Sequence, residues 1–195
     1  MKLNDTFLQS SNFAFKLALS VLSFLAYVIA FKMTSHLPDS FKYAGWIYLI
    51  FLPAGTKLIC IMLFGIWGTL GDAVALYWMA TEFLPNKTPL LWMIYSFTSS
   101  LATFFAIQFA MKAFSINSSL SNLQFWQLPF LSLIGSGIHG FITILVMVKI
   151  NLLNSADYWS SSFAIITGDF VGIFLALVIF SVLSKSVLSY CDIRY

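Results

Sequence analysis

Four ionisable residues stand in stretches that otherwise suit hydrocarbon: Lys57 in "FLPAGTKLICIMLFG", Asp72 in "GIWGTLGDAVALYW", His139 in "GSGIHGF" and Asp169 in "GDFVGIFL". A charge at the centre of a bilayer costs about 2.5–3.5 kcal/mol on insertion scales, so a residue that bears this cost is by default a candidate for function, with a partner to be named. An ammonium can hold an anionic group, a carboxylate can hold a cation or a proton, and an imidazole titrates near neutral pH. The chemistry on offer is the binding or sensing of a small solute, an ion or a proton. Glu82 belongs to a different class, because it lies near the end of its apolar run and can reach the interface.

Each of these residues also has a purely structural reading. Lys57 and Asp72 can form a salt bridge that fixes one hairpin, or Lys57 can snorkel to the interface along its four-carbon stem. His139 can be a packing histidine whose ring nitrogens are satisfied by neighbouring carbonyls. Gly135, Gly137 and Gly140, together with Ser136, form a small-residue strip that lets another helix approach.

The elements that must position these residues follow from composition. With 60% hydrophobic, 18% aromatic and only 9% charged residues, the sequence has too little polar side-chain surface to cover a soluble globule. Near-continuous apolar runs of about 20 residues match the hydrocarbon thickness for α-helices, whereas a β-barrel would alternate in shorter segments. The expected architecture is therefore an all-α, polytopic membrane bundle. Six spans are predicted: Asn12 to Phe31, Ala44 to Gly65, Ile66 to Leu84, Pro89 to Met111, Phe125 to Ile150 and Ser160 to Ser184. The second carries a Pro-Ala-Gly break at Pro53 and Gly55. No polar loop divides the second span from the third; only Gly65, Gly68 and Gly71 offer a tight turn, and one bent span plus a half-helix is the alternative.

On these spans, Lys57 and Asp72 each fall roughly three residues from the middle, on the terminus side, where they could meet across the hairpin. His139 lies near the centre of the fifth span, and Asp169 roughly three residues to the other side of the middle of the sixth, within reach of it. Trp46, Trp78, Trp92, Trp126 and Trp159 fall near span ends, as aromatic belts do. The lysine distribution slightly favours termini on the cytoplasmic side.

Several function classes are not signalled. The net charge of +3 is scattered rather than patched, so no nucleic-acid partner is expected. There is no Walker loop, dinucleotide glycine fingerprint, HExxH, paired cysteines or GxSxG, so neither an enzyme nor a cofactor or metal site is expected. Residues 1–195 are expected to form a single transmembrane domain with no soluble domain attached. The Gly-Asp dipeptides at Gly71 and Gly168 fall where an inverted repeat would put them, without further register between the halves.

Two segments taken together resemble a known family. "WIYLIFLPAGTKLICIMLFG" is similar to the early signature of the MASE1 family of bacterial membrane-associated sensor domains, and "WSSSFAIITGDFVGIFLALVIF" is similar to its later signature, in which Gly168, Asp169 and Gly172 form the Gly-Asp-x-x-Gly. The resemblance runs from about Trp46 to Phe180 and accounts for the Pro-Ala-Gly but not for Lys57. It implies a sensory module of the bacterial inner membrane, in this case a shortened one without the kinase, cyclase or phosphodiesterase output domain the family usually carries. Such a module would act by binding a small ligand or a partner membrane or signalling protein. A small-solute transporter or substrate-capture subunit, and a structural subunit of a larger complex, are the alternatives that the residues themselves leave open.

Overall fold

The structure is a computed structural model, and it describes residues 13–44, 47–83, 88–117, 120–149 and 158–192. It is almost entirely helical, with α1 at Phe13–Ser35, α2 at Leu52–Phe64, α3 at Ile66–Phe83, α4 at Pro89–Ala113, α5 at Gln127–Lys149 and α6 at Tyr158–Asp192. Between α1 and α2 lie a single 3-10 turn (Asp39–Phe41) and a short antiparallel hairpin of β1 (Lys42–Ala44) and β2 (Ile47–Tyr48), in which Lys42 faces Tyr48 and Ala44 faces Ile47. Four helices, α1, α4, α5 and the Tyr158–Leu183 part of α6, are long and apolar enough to cross a membrane. The chain is a helical, multi-pass membrane bundle.

The second predicted span departs most from expectation. In place of a helix from Ala44 with a break inside it, the residues ahead of Leu52 run as a hairpin and an extended segment, and α2 is only 13 residues long. Pro53 therefore stands in the first turn of α2 and interrupts nothing. Proline is readily accommodated there, since the N–H it lacks would have had no partner within the helix. Gly65 ends α2 at φ +59°, a left-handed conformation open to glycine, and α3 begins at the next residue.

Non-helical backbone at membrane depth is stable only where protein satisfies its polar groups. Here the Leu49 N–H donates to the Phe41 carbonyl at 2.8 Å, the Phe51 N–H to the Gly168 carbonyl at 3.0 Å, and the Leu52 N–H to the Thr34 hydroxyl at 3.3 Å. The segment is thus held between α1 and α6. A Cβ on Gly168 would collide with the Tyr48 carbonyl oxygen, and one on Gly172 with that of Phe51.

Helix α2 is the centre of the bundle and packs against each of the other five. Its Leu58 and Ile61 meet Ile107 of α4, Leu131 of α5 and Ile173 and Leu177 of α6 in one buried cluster. Gly55 lies against the Gly172 carbonyl and the Ala176 methyl of α6, so the Pro-Ala-Gly and Gly-Asp-x-x-Gly segments touch. Gly135 and Gly140 of α5 sit against Leu58 and Ile166, giving the small-residue strip its neighbours, whereas Gly137 faces open space.

Candidate functional site

A central helix made of "LPAGTKLICIMLF" carries its lysine inward whatever that costs. Lys57 is 2% exposed and donates to the Ser99 hydroxyl of α4 at 3.3 Å, so it does not snorkel. Asp72, on α3, is wholly buried, and neither of its carboxylate oxygens has a hydrogen-bond partner. The expected direct Lys57–Asp72 bridge is absent, although each charge acts on the other through space. The physical reason is direction: the Lys57 side chain runs toward the serine face of α4, where Ser96 and Thr103 turn their own hydroxyls back onto the carbonyls of Trp92 and Ser99 and the Ser99 hydroxyl accepts from the ammonium.

The second expected pair does form. His139 Nδ1 lies 2.6 Å from Asp169 Oδ2, both side chains being buried. With Asp169 ionised, Nδ1–H donates to it, and the opposite nitrogen, Nε2, is a lone-pair acceptor on the neutral ring or a second donor on the protonated one. Nε2 has no partner.

His139 is one of the residues that line a cavity of about 100 Å³. Tyr27 and Phe31 of α1, Trp92 and Tyr95 of α4, and His139 and Thr143 of α5 line it, with Asp169 of α6 and the Ile47, Tyr48 and Phe51 segment closing it. These positions fall late in α1 and α5 and early in α4 and α6, so the cavity lies in the hairpin end of the bundle, opposite the end where α1 starts and α6 finishes. The Tyr95 hydroxyl pairs with the Thr143 hydroxyl at 2.9 Å, tying α4 to α5 across the wall. The Tyr27 hydroxyl, 1% exposed, has no partner. The lining holds aromatic rings, one carboxylate and one imidazole, and no lysine or arginine. It suits a small, mainly apolar molecule with one or two hydrogen-bonding groups.

The four expected residues thus form two adjoining groups. His139 and Asp169 line the cavity, while Lys57 and Asp72 form a polar layer deeper in the bundle, and Lys57 feels the charge of both aspartates. Pro53, Gly55, Gly168 and Gly172 serve close packing. Tyr27, Tyr95 and Thr143 were not singled out from the sequence. Trp92 corrects the expectation of an aromatic belt, being 1% exposed on the cavity wall, whereas Trp78, Trp126 and Trp159 are exposed and Trp46 lies outside the described residues. The helical spacing of Tyr95, Ser96, Ser99, Ser100 and Thr103, all buried, is the signal that marks α4 as a polar wall.

Asp169→Asn keeps an acceptor for Nδ1–H and removes the charge. The variant is expected to fold normally and to retain less of any small molecule that co-purifies with the native chain, because the hydrogen bond that orients the imidazole loses its charge; unchanged retention would assign Asp169 a packing role. Comparison with family models, with curated proteins and with solved structures returns no match.

Proposed function

We propose that the chain is an integral membrane sensory or regulatory module whose ligand occupies the cavity beneath the hairpin. The observation that carries this reading is that two residues lining the cavity, His139 and Tyr27, each keep a buried polar atom, Nε2 and the hydroxyl, without a hydrogen-bond partner. An unmade hydrogen bond in a dry interior costs about 1–3 kcal/mol, and a ligand that supplies the missing partners recovers it.

The cavity is built from α1, α3, α4, α5 and α6 and the segment ahead of α2, so a ligand there favours one packing of these elements over another. It shifts the equilibrium by its difference in affinity for the two. The natural listener is a partner membrane or signalling protein packed on the outer helices. The resemblance of the Pro53–Gly55 and Gly168–Gly172 segments to the MASE1 signatures supports the sensory reading and the bacterial inner membrane. In this reading all six helices cross, α2 completing its passage with the extended residues ahead of it, and both termini are cytoplasmic, as the lysine distribution favours.

The test is mass spectrometry of what co-purifies with the detergent-solubilised chain. A small molecule near one per chain is expected from the native protein. It should fall about tenfold in the Tyr27→Phe, His139→Leu double variant, which removes two hydrogen bonds at about 0.5–1.5 kcal/mol each. A native chain that carries no small molecule and brings no partner would defeat the proposal.

A second reading, capture or transport of a small solute, draws on the extended backbone that leads into α2 at the cavity wall, because interrupted helices line transporter sites. An ATPase among the co-purifying chains would favour it. A kinase or cyclase would favour sensing, and constant recovery of one large complex would favour a structural subunit.

A further inference from the structure

A second hollow opens on the outside of the bundle, between the start of α4 and the end of α5. It has a volume of about 520 Å³ and is walled by Leu91, Ile94 and Tyr95 on one side and Leu145 and Val146 on the other. Two residues stand at its outer end: Thr88, just before α4, and Lys149, the last residue of α5. Pro89 begins one helix where Lys149 ends its antiparallel neighbour, so both sit at the same bundle end. From there to Tyr95 the groove runs inward by roughly 10 Å at about 1.5 Å per residue, within one leaflet of a hydrocarbon core about 30 Å thick.

An apolar groove at that depth is filled by hydrocarbon, since water gains no partners there. Among the described residues its mouth is positive. Lys149 is exposed and has no ion-pair or hydrogen-bond partner among the described residues, and no acidic residue lines the groove. The Thr88 side chain makes no capping bond to α4, so the amino-terminal end of that helix, with its partial positive charge, faces the same place.

We propose that this groove binds an acidic phospholipid, with one acyl chain along Ile94 and Leu145 and the headgroup phosphate held by Lys149 beside the Thr88 hydroxyl. An exposed ammonium beside a helix amino terminus offers a phosphate a charge-assisted hydrogen bond and a favourable dipole. The site is separate from the cavity and does not depend on what the cavity holds; only Tyr95 lines both.

The test uses the full chain with phosphatidylglycerol or phosphatidylcholine as probe, counting retained lipid by native mass spectrometry. One phosphatidylglycerol per chain is expected, held about fivefold more than phosphatidylcholine, the scale of one lysine acting on an acidic headgroup. Lys149→Ala should bring the ratio to about one, whereas Lys112→Ala, at the other end of α4, should leave it unchanged. Ile94→Trp fills the groove from a position already 58% exposed, which leaves the core intact, and should reduce retention of both lipids. Equal retention of the two lipids by the native chain, an unaltered ratio in Lys149→Ala, or full retention in Ile94→Trp would each overturn the proposal.

Discussion

Gly172→Ala is expected to lower the thermal midpoint of the detergent-solubilised chain sharply, and Gly172→Val to remove the folded species altogether. On helix propensity alone, alanine should stabilise a helix interior by about 1 kcal/mol over glycine. At this position the added carbon would meet the Phe51 carbonyl oxygen, with the Leu52 nitrogen behind it. Both are backbone atoms of the extended segment, which is pinned by the bonds from Phe51 N–H to Gly168 and from Leu52 N–H to Thr34. Overpacking typically costs about 1–3 kcal/mol, and more where the obstructing atoms cannot rotate away. Gly137→Ala is the control, as its Cβ would meet nothing within 4 Å. It should be neutral or mildly stabilising. A Gly172→Ala midpoint that moves with the control would mean that α6 does not bear on this segment.

Lys57→Met is expected to cost about 1–3 kcal/mol, the scale of a buried polar group left unmet, because the Ser99 hydroxyl loses its donor and Asp72 loses the neighbouring ammonium. The double variant Lys57→Met, Asp72→Leu removes both charges and should recover most of the loss. Thermal unfolding of the native chain, both single variants and the double variant forms a cycle whose coupling term is the quantity of interest. Since the two side chains interact through space rather than in contact, that term isolates charge from hydrogen bonding. Strictly additive single effects would show that Lys57 and Asp72 are independent.

The membrane class and the long helices could be read from the sequence because a bilayer dictates the length and composition of whatever crosses it. Pro89 does open α4, and Phe125 to Ile150 closely frames α5. The stretch around "KYAGWIYLIF" misled for the same reason. A short hairpin with one buried strand and a helix leave the same apolar record, and periodicity cannot separate them. Of the site, charge revealed Lys57, Asp72, His139 and Asp169, since a charge in hydrocarbon demands explanation. Tyr27, Tyr95, Thr143 and Trp92 make no such demand. Their role comes from which helix faces which, information that a single strand of sequence does not hold. The pairing of Lys57 with Ser99 instead of Asp72 was hidden likewise, because depth along a helix fixes the level of a side chain and not its direction.

The central position of α2 has a consequence for how the protein is made. Synthesis runs from the amino terminus, so α2 emerges before α3, α4, α5 and α6. The face that carries Gly55 matches a surface of α6, more than 100 residues later in the chain. Until α6 arrives, the extended residues before α2 lack the Gly168 carbonyl that receives their Phe51 N–H. The order of emergence and the order of completion therefore run against each other: an early-made element waits, its leading backbone N–H unmatched, for a helix made much later to close against it.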